Sequence, residues 1–173
     1  QETHVVVSSL FTTINKTRMR SAMHAVRLEL VQLQANRLNL SLHTIYIDES
    51  ASNTEYQAAM KDLIEQAEKE KVKNIAFGDL YLKDIRAYRE QQMVASNIEA
   101  IFPLWQQPTD KVAQKIINSG IKAVITCVDC KQLSADFIGR TYDADFLNDL
   151  PTQVDPCGEN GEFHSFVYDS PIF

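Results

Sequence analysis

The densest set of chemistry-bearing side chains is Asp155-Pro156-Cys157-Gly158-Glu159-Asn160-Gly161-Glu162-Phe163-His164. Glu159, Glu162 and His164 are candidates for acid–base work or for placing an ammonium group. Carboxylates stabilise a cationic amine, and a histidine carries protons near neutral pH. Gly158 and Gly161 allow positive φ or a close approach of backbone to a ligand, and Asn160 stands between them as a polar contact. From Glu162 to Tyr168 the residues alternate like a strand, which would set Glu162 and His164 on one face and Phe163 on the other. The plainer alternative is a solvated acidic turn before a core strand. A third reading is a metal site of Asp155, Glu159, Glu162 and His164, although adjacent loop carboxylates more often bond the backbone.

Other candidates lie far away in sequence. His24 and Arg27 sit near the top of an expected helix, where Arg27 would clamp a phosphate or carboxylate bidentately. Arg18 and Arg20 would add positive charge there. Asp79 follows Gly78 at a strand end, a place where a carboxylate meets magnesium or a ribose hydroxyl; its structural alternative is a helix N-cap. Asp84, Arg86, Arg89 and Glu90 read as helix-surface ion pairs, each worth little. Cys127 and Cys130 have C-x-x-C spacing, but they follow a strand-like run rather than opening a helix that would lower a thiol pKa. A structural zinc would need two further ligands from Cys157 and the histidines. Trp105 reads as core or pocket wall.

These residues need elements to position them. The run His4–Phe11 predicts a buried strand, and Thr12–Arg20 a loop at its C-terminal end. From Ser21, the spacing of Met23, Val26, Leu30 and Leu33 predicts a helix ending near Asn39. Leu42–Ile47 is the next strand. Ser52–Glu55 has the capping-box form and opens a helix buried through Tyr56, Met60, Leu63, Ile64 and Ala67. Asn74–Phe77 is a strand, residues 82–95 a helix, and Ala100–Trp105 extended. A helix opens at Pro108-Thr109 and stops at Gly120. Lys122–Val128 is a strand, Ala144–Leu150 a short helix, and Glu162–Tyr168 the last strand. Strands alternating with helices predict an α/β layer fold with a mostly parallel sheet. Ligands of such sheets sit beyond the strands' carboxyl ends, so the loops after Phe11, Ile47, Phe77 and Val128 are expected to share one crevice.

The totals narrow the partners. At 173 residues the chain can bury one sizeable core, and 45% hydrophobic with 23% charged content is ordinary for a globular protein. A net charge of -6 argues against a general nucleic-acid surface. No apolar run approaches the ~20 residues needed to span a bilayer, so no membrane partner is expected. An odd number of cysteines does not suggest a disulfide framework, and a reducing cytoplasm is the simplest setting. An exposed sheet edge makes a homodimer an expectation.

The stretch Asp155–Phe173 resembles the C-terminal motif of the diphthine–ammonia ligase-like proteins, ATP-binding members of the PP-loop (adenine nucleotide alpha-hydrolase-like) superfamily. Three further stretches are similar: Thr12-Thr13-Ile14-Asn15 with Met23-His24-Ala25-Val26-Arg27; Phe77-Gly78-Asp79-Leu80 with Asp84-Ile85-Arg86-Ala87-Tyr88-Arg89-Glu90; and Phe102-Pro103-Leu104-Trp105. They run in order from near Leu10 to Phe173 and look like the short, bacterial-type branch. The resemblance implies a Rossmann-like (HUP/PP-loop) fold with helices on both faces, in which residues 1–97 form a nucleotide-binding domain. Residues 98–173 would form a small α+β substrate subdomain. It implies an enzyme using ATP and Mg²⁺ that adenylates a carboxylate for attack by ammonia. Leu10, Thr12, Thr13, Gly78 and Asp79 would then line the nucleotide. His24, Arg27, Arg86, Arg89, Gly158, Asn160 and Gly161 would meet the substrate, and Glu159, Glu162 and His164 would be catalytic. The acceptor of a bacterial-type chain would be a small-molecule or protein-borne carboxylate other than diphthine, itself a modified histidine. The family also opens with a strand, a Ser-Gly-Gly-Lys-Asp-Ser phosphate loop and a helix that these residues do not contain. A leading segment outside them is therefore expected. The alternative is a non-catalytic nucleotide- or metabolite-binding α/β module.

Overall fold

A computed structural model describes residues 5–22, 24–48, 51 and 53–173. The expected starts at His4 and Ser52, and the helical position Met23, lie outside the described residues. The fold is mixed α/β with a general Rossmann-like architecture. In order come β1 (Ser9–Asn15), β2 (Arg20–Ser21), α1 (Leu28–Arg37), β3 (Ser41–Ile47), α2 (Asn53–Lys69), β4 (Asn74–Ala76) and α3 (Lys83–Met93). They are followed by β5 (Glu99–Ile101), α4 (Thr109–Asn118), β6 (Lys122–Val128), a 3₁₀ turn (Ala135–Phe137), α5 (Ala144–Asp149) and β7 (Phe163–Asp169).

The strands form three separate sheets among the described residues, not the one mostly parallel sheet expected. β1 and β3 pair in parallel from Ser9↔Ser41 to Asn15↔Ile47, and β4 pairs β5 in parallel. β2 joins β1 antiparallel, and β6 pairs β7 antiparallel.

Two elements differ from the sequence expectation near the start of the chain. The strand expected at His4–Phe11 lies further on, at Ser9–Asn15, so Thr12 and Thr13 are strand rather than loop. Threonine is β-branched and fits a pleated surface as well as valine does. Helix α1 begins at Leu28 rather than Ser21. Ser21, Ala25 and Val26 are instead held in a tight reversal: Ser21 N–H donates to Val26 O at 2.7 Å, Val26 N–H donates to Ser21 Oγ at 3.1 Å, and Ala25 has φ 56°. That later start turns the helix, so Leu28 and Ala35 are buried while Leu30 and Leu33 are exposed.

The stretch expected to be extended through Trp105 is strand only over Glu99–Ile101 and then turns, Trp105 N–H donating to Phe102 O at 3.1 Å; most other elements follow the pattern. Gly120, at φ 81°, stops the helix that Thr109 opens, as a residue just past a C-cap does. Two clusters of apolar side chains form the core. Ile64, Ile75, Phe77, Met93 and Ile98 pack α2 and α3 against β4. Ala113, Ile125, Tyr142, Phe146, Val154 and Phe163 pack α4 and α5 against β6 and β7. Several contacts among the described residues join the C-terminal ladder and its loop to the earlier elements. Gln34 Nε2 donates to Val167 O at 2.6 Å, Thr126 Oγ1 to His24 O at 3.4 Å, and Leu80 N–H to Glu159 Oε1 at 2.7 Å.

Candidate functional site

The acidic loop ahead of β7 is built around one buried carboxylate. Glu162 is 1% exposed, and its Oε1 accepts Asp155 N–H and Asn160 Nδ2, each at 2.9 Å. Its Oε2 accepts Asn160 N–H at 2.9 Å. Burial pushes this carboxyl up, but the hydrogen bonds from the Asn160 side chain and from backbone N–H groups outweigh it, leaving the pKa below the usual value. Asp155 Oδ1 accepts Cys157 N–H at 2.8 Å, which tightens the same turn. Gly158 sits at φ 69°, and a Cβ there would lie 2.7 Å from Phe163 O, so glycine is required by both conformation and space. Glu162 precedes β7, so the expected alternation does not apply to it: both Glu162 and its neighbour Phe163 are buried.

Glu159 fastens this loop to the segment after β4. Its Oε1 accepts the N–H of Leu80 at 2.7 Å and of Tyr81 at 3.3 Å. The Tyr81 hydroxyl reaches Asp155 Oδ2 at 3.5 Å. The Gly78-Asp79 segment and the Gly158–Gly161 loop, distant in sequence, are thus brought side by side. On the other flank Tyr142 donates to Pro156 O at 2.7 Å. Burial pushes the Cys157 thiol up to about 11, so it stays protonated, and it donates to Thr109 O at 3.3 Å.

A histidine pair forms the second part of the site. The rings of His24 and His164 meet edge to face with centroids 4.6 Å apart. Thr126 Oγ1 lies 3.1 Å from His164 O and 3.4 Å from His24 O, bridging the strand to the 21–27 reversal. Burial lowers the pKa of both rings, and His164 lowers that of His24 further, so both are neutral at pH 7. Arg27 follows on the exposed surface and makes no ion pair among the described residues.

The other predicted residues make contacts of their own. Arg86 lies over the rings of Phe102 and Trp105, at 4.8 and 4.7 Å, and bonds Glu90 Oε1 at 2.7 Å. Arg89 lies over Phe77 at 4.9 Å and faces Asp79 Oδ2 at 3.8 Å. Cation–π packing of this kind holds the guanidinium groups against the protein. Thr13 O accepts Ala22 N–H at 2.8 Å, and Thr12 and Thr13 pair with Thr44 and Ile45 of β3. Leu10 lies on the same strand, opposite Leu42 of β3. Cys127 and Cys130 are free thiols, and Cys127 stands opposite His164 in the β6–β7 ladder. No group of three or more His, Cys, Asp and Glu among the described residues could hold a metal ion. Tyr81, Thr126 and Tyr142 were not legible as site residues. Tyr81, two residues beyond Asp79, carried the one usable signal.

Comparison with known proteins gives the chemistry a context. Residues 108–173 match the family model described as the diphthamide synthase C-terminal domain. The diphthine–ammonia ligases of Homo sapiens and Bos taurus are each 32% identical to the chain over 112 residues, covering 61% of this chain and 42% of theirs. That of Schizosaccharomyces pombe is 31% identical over 75 residues, 40% of this chain and 12% of its own. The aligned stretch therefore spans less than half the length of these curated relatives. Residues 108–173 thus match that C-terminal domain model, and over the aligned stretch the chain is similar to the diphthine–ammonia ligases.

Proposed function

We propose that this protein is an ATP-dependent amide-forming ligase that adenylates an acceptor carboxylate for attack by ammonia. The observation that carries this reading is the docking of the Gly158–Gly161 loop, through Glu159, onto the backbone beside Gly78-Asp79. A carboxylate and an amine nitrogen held at that junction would lie between a nucleotide edge and a polar, glycine-rich loop. Residues 1–97 would serve the nucleotide and residues 98–173 the acceptor.

Part of a nucleotide fits the donor set. Asp79 Oδ2 is buried and faces Arg89 Nε at 3.8 Å without a hydrogen bond, so a ribose hydroxyl would give that oxygen the donor it lacks. Gly78 has no neighbour within 4 Å of where a Cβ would stand, so backbone there can be approached closely. The described residues contain no glycine-rich cradle for a triphosphate and no carboxylate cluster for Mg²⁺. ATP would supply the adenylyl group that turns the carboxylate into an acylating species.

The chain's own residues supply placement and proton transfer. His24 and His164, neutral at pH 7, would take the proton that the amine nitrogen loses as the C–N bond forms. Arg27, exposed and without an ion pair among the described residues, would meet the acceptor's or the nucleotide's negative charge. Asp155 Oδ2, held only by a 3.5 Å contact to Tyr81, would position ammonium before it is deprotonated. Glu162 keeps the loop in shape rather than touching substrate.

The relatives are named for diphthine and ammonia, so a diphthine-bearing protein is the first acceptor to try. With that acceptor and ammonium present, ATP should be converted to AMP and pyrophosphate. Conversion to ADP, or AMP release that ignores both acceptor and ammonium, would contradict the reading. Nucleotide binding without turnover on any carboxylate would instead support the binding module.

A further inference from the structure

A cleft of about 420 Å³ lies between α2 on one side and α3 with the turn after it on the other. Its floor is apolar, because Met60 and Ile64, four residues apart on α2, are both buried there. Tyr88 and Gln92, four residues apart on α3, share the opposite wall. The Tyr88 hydroxyl and both the oxygen and the nitrogen of the Gln92 carboxamide are closed off from solvent, yet none has a hydrogen-bond partner among the described residues. Buried polar atoms are nearly always paired, and each unpaired one costs stability. A leucine at position 92 would fill similar space without that cost. Three such atoms beside one cleft therefore point to a ligand that completes them. The terminal torsion of glutamine is broad, so the carboxamide can turn its N–H and C=O into the cleft. None of the lining residues belongs to the acidic loop or the histidine pair, so this is a second site.

Charge and hydrogen-bonding chemistry narrow the ligand. The charged residues along the cleft are Lys61, Glu65 and Glu68. Lys61 pairs with Glu65 at 3.7 Å, and Glu68 Oε1 accepts Asn97 N–H at 2.7 Å. Two carboxylates against one cation disfavour an anion, and the Met60–Ile64 floor suits a flat apolar body. A carboxamide is satisfied on both atoms at once by a group that donates and accepts side by side; an ammonium only donates and a carboxylate only accepts. We propose that the α2–α3 cleft binds a neutral, planar ring compound with an amide edge, a carboxamide or a lactam. Its N–H and C=O pair with Gln92, its ring lies on Met60 and Ile64, and the Tyr88 hydroxyl borders the same edge.

The test titrates the full ¹⁵N-labelled chain with nicotinamide, read at the Gln92 side-chain NH₂ resonances and the backbone N–H groups of Ala95 and Ser96. These signals should shift along saturable curves with a half-point of about 1 mM or tighter. Nicotinate, the anionic counterpart, and N,N-dimethylnicotinamide, which has no amide N–H, should each bind about tenfold or more weakly. Gln92→Leu should weaken nicotinamide by about tenfold, read at Ala95 and Ser96, while melting at the same temperature as the parent or higher, since no hydrogen bond is lost. Tyr88→Phe, a milder change, should weaken it by about threefold. Absence of saturable shifts up to about 10 mM nicotinamide would overturn the proposal. So would equal affinity for the three probes, or an undiminished affinity in Gln92→Leu. A lower melting temperature for Gln92→Leu would mean that the carboxamide is already hydrogen-bonded, which also overturns it. Shifts at these signals that follow protein concentration without nicotinamide would assign the cleft to a second copy and overturn the proposed ligand.

Discussion

Replacing Glu162 tests the architecture of the acidic loop most sharply. Its carboxylate accepts three hydrogen bonds, each 2.9 Å long, from groups on both sides of the loop. A hydrogen bond to a charged group contributes about 1.5–3 kcal/mol, and an abandoned buried donor costs about 1–3 kcal/mol. Asn160 is exposed and regains water when the carboxylate is lost, so only the half-buried Asp155 N–H stays unpaired. Glu162→Ala should therefore cost about 3–5 kcal/mol, and Glu162→Gln about 1.5–3 kcal/mol because one acceptor oxygen becomes a donor. Urea unfolding followed by circular dichroism reads both values, and on heating the alanine variant should melt about 6–15 °C lower. The pH dependence has a definite sign. The folded pKa lies below the unfolded one, so this contribution is complete above about pH 4.3 and is lost as the pH falls through the folded value. Glu162→Gln should flatten that acid limb. A loss under about 1 kcal/mol for the alanine variant, or an unchanged acid limb for the glutamine variant, would refute the hydrogen-bond reasoning.

Three further outcomes are expected. His24 and His164 have lowered folded pKa values, so their share of stability is complete above the ordinary 6.5 and declines as pH drops below it; His164→Asn should shrink that decline in an unfolding series from pH 8 to pH 5. Gly158→Ala should destabilise by about 1–3 kcal/mol from its positive φ, and further from its overlap with Phe163 O, measured by thermal melting. Glu159→Ala should speed hydrogen exchange at Leu80 and Tyr81 by releasing the loop, while α5 and β6 keep their protection.

Much of the scaffold was legible because local and tertiary preferences agreed. Lys122–Val128 forms the strand its residues suggest, and Pro108-Thr109 with Gly120 brackets α4 as expected. The disagreements have physical causes. Thr12 and Thr13 looked like loop because they are polar, yet β3 on one side and β2 beyond them complete a ladder. The reversal at Ser21–Val26 depends on Ala25 at positive φ, for which alanine carries no sequence signal. Periodicity through Leu30 and Leu33 suggested a buried stripe, but the later helix start leaves both in solvent. The site divides in the same way. The loop's residue types were visible, whereas the capture of Arg86 by Phe102 and Trp105 needed tertiary contacts. So did the meeting of His24 with His164 and the fastening of Glu159 to Leu80.

The most direct measurement of the central claim follows ¹⁵N-labelled ammonium into a diphthine-bearing acceptor by mass spectrometry, comparing the protein with its His164→Ala variant. The account predicts ATP-dependent conversion of the carboxylate to a ¹⁵N-carboxamide. For the variant it predicts a rate lower by about 10²–10⁴-fold, the range of a lost proton acceptor, with much of that loss restored as the pH is raised. Nitrogen gained equally well without ATP, or a variant as fast as the parent at every pH, would contradict it.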